Sequence, residues 1–149
     1  LDPRVLSHFV HNDDITSLLG LVTVDDIAAA WLRDRRETED DPSGSGPDGW
    51  ASALWYSPAW YVDSARTRAT VVAMLQQAGS EDVARIGAGP LESLVTDGES
   101  TLSWAEEQAR QSPRFRTALT HAWLWNQLSP EAFSRVERAA GTSLPRPAC

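Results

Sequence analysis

The stretch Ile86-Gly87-Ala88-Gly89-Pro90-Leu91-Glu92 sits between two segments of helical periodicity, and how it is read decides how the chain is put together. Glycine adopts φ > 0 without steric cost, so Gly87 and Gly89 predict a sharp corner between two helices. Proline suits the first helical position, where its missing N–H is not needed, so Pro90 predicts the start of the second helix. Glu92 would then fall in the first turn, where a carboxylate is favoured by the helix dipole. A glycine-rich loop before a helix can also cradle an anion. Glu92 opposes that use, because its fixed negative charge competes with any bound anion, and no P-loop Lys or Ser/Thr pair accompanies the glycines.

Downstream of the corner come Leu94, an acidic-basic helical stretch, and then Ser112-Pro113-Arg114-Phe115-Arg116 with Ala118, Leu119 and a tryptophan. Together with the Ile-Gly-Ala-Gly-Pro-Leu-Glu run, these words resemble an uncharacterised bacterial family known only as a domain of unknown function. The resemblance covers about residues 60–125 and implies a small helical domain. It supplies no activity, substrate or catalytic residue to carry over. The acidic loop before residue 50 and the tail after 141 lie outside the resembling part.

Working outward, apolar residues recur at helical spacing in short runs separated by caps and breakers. Asp2-Pro3 opens a helix over about 3–11, Asn12 or Asp13 caps a second around Ile15 and Leu18, and Thr23 caps a third with Val24, Ile27, Ala28, Trp31 and Leu32 on one stripe. Asp63 or Ser64 caps a helix carrying Val71, Val72, Met74 and Leu75, and Ser80 caps a brief turn that leads into the corner. Ser112-Pro113 and Ser129-Pro130 repeat one start signal, a hydroxyl cap before a first-position proline, and predict helices over about 113–126 and 130–140. The first is apolar over most of its circumference through Phe115, Ala118, Leu119, Ala122, Trp123 and Leu124, which marks it as the expected central helix. No segment alternates as a strand would. The expectation is an all-α fold, an irregular bundle of about seven to eight short helices with no significant sheet.

A chain of 149 residues is the size of one ordinary domain. The boundaries expected are a single helical domain over 1–141 with a mobile acidic loop at 37–49, and a C-terminal tail over 142–149. Because the chain opens at Leu1 rather than methionine, residues upstream in the native protein stay open. No run approaches the roughly 18 apolar residues of a membrane span, and no signal pattern opens the chain, so the cytoplasm is the expected compartment.

The formal net charge is −8, and all thirteen basic residues are arginine. That balance argues against nucleic acid and for a basic protein partner. Within the acidic loop, Glu37, Glu39, Asp40, Asp41 and Asp48 are the candidate partner-binding residues. Seven tryptophans raise a second reading, an enzyme or small-ligand binder whose pocket is lined by Trp50, Trp55, Trp60, Trp123 and Trp125 with Glu92 and His121 as polar groups. Cys149, the single cysteine, forms no internal disulfide and gives a third reading as a covalent attachment point.

Constellations that would carry chemistry are sparse. His8 and His11 with Asp14 have a permissive metal spacing, but no third histidine lies near in sequence, so no metal and no cofactor is expected. His121 with Ser103, Ser112 or Thr120 and an acid such as Glu106 or Glu107 shows no nucleophile motif, and a core histidine is the simpler account. The first expectation is therefore a non-enzymatic, acidic, helical interaction domain, of the kind that inhibits or gives immunity against a basic partner. Its oligomeric state is left open.

Overall fold

In a computed structural model, residues 1–39 and 46–148 are described, and among them every regular element is helical. The chain divides into two compact units, Leu1–Gln77 and Ala78–Cys149.

The first unit contains α1 (Pro3–His11), α2 (Ile15–Leu19), α3 (Val24–Glu37), α4 (Gly49–Ala53) and α5 (Ser64–Gln77). Its start signals work as capping chemistry requires. Asp2 accepts the N–H of Arg4 at 2.9 Å, and Thr23 and Asp26 form a reciprocal capping box at 3.1 and 2.9 Å. The second helix is capped by Asp14, not by Asn12 or Asp13. Asp13 instead takes the left-handed conformation, φ 56°, and turns its carboxylate to the Ser57 hydroxyl and to the N–H of Ala59. That contact fastens the Ser57-Pro58 break, on either side of which Leu54–Tyr56 and Pro58–Val62 form 3-10 turns. The turns deliver Trp55 and Trp60 into the core, edge to face at 5.6 Å, with Trp60 fully buried among Leu18, Ile27, Leu54, Val71 and Met74 as fellow core residues. Packing of α3 on α5 and α4 closes this core.

The second unit contains α6 (Ser80–Ile86), α7 (Glu92–Val95), α8 (Glu99–Gln111), α9 (Pro113–Leu119) and α10 (Pro130–Ala140). Ser112 and Ser129 cap α9 and α10 as expected, each hydroxyl accepting an N–H at 3.2 Å. Phe115 is buried and meets Trp104 of α8 edge to face at 5.4 Å. Arg135 of α10 bonds to both Glu106 and Glu99 of α8, which raises its pKa above the usual arginine value, the Glu106 hydrogen bond contributing most.

Two expectations about its elements fail in this unit. Gly87–Leu91 is not a corner: it is a π-helical turn joining α6 to α7, and Gly87 has right-handed helical angles of φ −60° and ψ −47°. In an α-helix the Pro90 ring would clash with the carbonyl four residues back, and one wider turn carries the chain past it. The expected central helix over 113–126 stops at Leu119, and the chain then runs through turns and irregular backbone to Asn126, a left-handed residue with φ 65°. In the C-terminal stretch Leu144 is only 3% exposed and its N–H is bonded to the Glu137 carboxylate at 2.9 Å.

Candidate functional site

Gly87 explains why the π turn carries glycine. A methyl group built on it would lie 2.0 Å from the Ala118 carbonyl oxygen and 3.1 Å from the His121 Cβ, so the bare backbone lets α9 cross directly against the turn. The same Ala118 carbonyl accepts the N–H of His121 at 3.0 Å and ends α9 in a turn. Continuing the helix through the π turn carries Glu92 to the segment that follows α9, where its carboxylate accepts the backbone N–H of Trp123. On the other side of the same residue, the Gln127 side-chain amide donates to the Trp123 carbonyl. The peptide groups flanking Trp123 are therefore both held, while its neighbours Ala122 and Leu124 are fully buried.

Backbone that alternates in this way leaves the indole of Trp123 pointing outward, 46% exposed. His121 is exposed beside it, not the core histidine expected. Next along the chain, Trp125 stacks edge to face on Phe133 at 5.3 Å. Arg146 sets its guanidinium over both rings, 5.2 Å from the Trp125 centroid and 5.0 Å from that of Phe133. A cavity of about 400 Å³ opens here, with Leu128, Pro130 and Ser134 also on its walls.

Of the pocket candidates, Glu92, His121, Trp123 and Trp125 thus fall in the second unit, linked through the π turn and the segment after α9. Trp50, Trp55 and Trp60 fall in the first, all buried, and Trp50 also borders a cavity of about 230 Å³ beside Leu6 and Val22.

The acidic candidates are dispersed in role. Glu37 is the last residue of α3 and exposed, and Glu39 follows it, also exposed. Asp48 is engaged within the fold, its two oxygens accepting from Arg33 Nε and Nη2 at 3.1 Å each, and this pairing raises the Arg33 pKa. Asp40, Asp41 and Cys149 lie outside the described residues. At the N-terminal end, the Asn12 amide packs on His8, 3.3 Å from its Nδ1.

Sequence reasoning missed two features. Asp34, three residues after Trp31 and seven after Ile27 and so on the same side of α3, is only 1% exposed, bonded to Ser52 and to Arg35 at 2.8 Å. Arg146 and Phe133, which complete the aromatic cluster around Trp125, went unread, although an arginine between two prolines was a visible signal.

Comparison with known proteins gives one family: a model described as a family of unknown function (DUF6869) matches residues 39–144. No curated protein and no solved structure matches the chain.

Proposed function

The chain belongs to the family of unknown function (DUF6869), and from that premise we propose that it is a non-enzymatic, acidic interaction domain that binds a basic protein partner, in the manner of an inhibitor or immunity protein. The carrying observation is Trp123, a large indole left 46% exposed on backbone held at both of its peptide groups. Trp is the residue most enriched among the few that dominate binding energy, and a pre-fixed side chain loses less entropy on docking. The net charge of −8 supplies the second half of the reading, since it draws a cationic partner and disfavours nucleic acid. Glu37 and Glu39 are exposed and add to that field. A cytoplasmic setting is part of this proposal; among the described residues no helix is long and apolar enough to cross a membrane.

The test is affinity capture from the native host with the wild-type chain and Trp123→Ala, each at about 0.05 M and about 0.5 M salt. The expected result is one stoichiometric basic protein, retained by wild type at low salt, weakened by high salt, and bound at least about tenfold less tightly by Trp123→Ala. Equal recovery by both chains at both salt concentrations, or no stoichiometric protein at all, would refute the reading.

A further inference from the structure

The stretch after Gly141 runs without regular structure, anchored by Leu144, and presents Arg146 between Pro145 and Pro147. The Arg146 guanidinium lies over the Trp125 and Phe133 rings, and its Nη2 donates to Glu137 Oε1 at 2.6 Å. Two aromatic rings and one carboxylate therefore converge on a single planar cation. This is the chemistry of an arginine-binding site: the rings attract the cation by their negative faces, and the carboxylate takes one edge of the fork.

The occupant is poised to be exchanged. The Arg146 side chain is 49% exposed while that of Glu137 is 18% exposed, so the guanidinium is the half of the pair that water and a competing cation can reach. Pro145 and Pro147 have no N–H with which to fasten the strand on either side of it. A cavity of about 400 Å³ adjoins the rings and Arg146, with Leu128, Pro130 and Ser134 also on its walls. A volume of that size suits a whole side chain with its flanking backbone.

We propose that Trp125, Phe133 and Glu137 form a receptor site for an arginine side chain of a basic protein partner, and that the chain's own Arg146 occupies it as a resident competitor. The inference rests on the interaction reading above for the partner's identity, and it adds the chemistry that the partner must present. A tethered competitor acts at an effective concentration on the order of millimolar, so the free site stays hidden until a tighter arginine arrives or Arg146 is removed.

The probe is N-acetyl-arginine amide, titrated into wild type and Arg146→Ala while the Trp125 indole N–H is followed by NMR, with N-acetyl-lysine amide as the control. Arg146→Ala is expected to bind the arginine probe at least about tenfold more tightly than wild type, by removal of the tethered competitor. Lysine amide is expected to bind more weakly, and Glu137→Gln in the Arg146→Ala background to weaken binding of the arginine probe. In wild type at saturating arginine probe, the Arg146 Nε–H resonance should move toward its solvent-exposed position, a readout that does not depend on the variant's folding. Binding by Arg146→Ala no tighter than wild type, equal binding of the lysine probe, or an unmoved Arg146 resonance would each overturn the proposal. Because the probe is a small molecule, such a failure leaves Trp123-dependent capture of a partner standing as a separate result.

Discussion

Gly87 and Gly20 both have right-handed helical backbone angles, so neither is present for its access to positive φ. Their surroundings separate them. An added Cβ at Gly20 would meet its nearest atom at 3.4 Å, an ordinary contact, whereas at Gly87 it would run into the Ala118 carbonyl. Gly87→Ala is therefore expected to destabilise the chain by about 2–4 kcal/mol, the upper range for overpacking against backbone. Gly20→Ala is expected to stabilise by up to about 1 kcal/mol through the unfolded state. Urea midpoints of the two variants decide the matter, and equal midpoints would mean that the crossing at Gly87 is looser than described. Sequence reading found Gly87 important for the wrong reason: a glycine needed for close approach and a glycine needed for a turn look alike until the neighbour is known.

At the scale of elements, the clearest signals were the hydroxyl-proline starts at Ser112 and Ser129, because capping is local chemistry and the residues that do it are adjacent in sequence. The end of α9 was not legible. Ala118, Leu119 and Ala122 continue a helical stripe, and what stops the helix is the turn after Ala118 together with the long-range bond from Glu92 to Trp123. Pro90 likewise signalled a start, yet a π turn absorbs it in mid-helix, which no local rule anticipates. The exposure of Trp123 was hidden by the misread end of α9, since a central helix continuing to residue 126 would have packed it inward. Glu92→Ala removes the acceptor for the Trp123 N–H, and hydrogen exchange of that amide is expected to accelerate by about tenfold, the kinetic equivalent of losing about 1.4 kcal/mol. An unchanged exchange rate would show that the segment is held without Glu92.

For the whole molecule, the all-helical class was readable because caps and 3.6-residue periodicity agreed over most of the segments, even where tertiary contacts set a helix end or join. Charge was readable as a sum and not as a map. Asp34 and Asp48 belong to the internal hydrogen bonding of the first unit, so part of the acidic balance serves folding rather than binding. Glu107 is a surface case: the Arg110 hydrogen bond, with help from Gln111, holds its carboxyl below the ordinary 4.5. A lowered folded-state pKa contributes stability that is present above the unfolded value and fades as pH falls through the folded one. The urea midpoint of wild type should therefore exceed that of Glu107→Gln near neutral pH by a small margin, and the two should converge as pH falls through the lowered folded-state value. A margin that persists at low pH would mean that Glu107 acts through packing instead.

The uneven placement of the tryptophans makes this chain its own optical reporter. Trp31, Trp50, Trp55 and Trp60 sit behind other side chains, while Trp123 meets water directly. A neutral collisional quencher such as acrylamide should extinguish the long-wavelength shoulder of the emission first, and a partner seated on Trp123 should protect that shoulder and shift it to the blue.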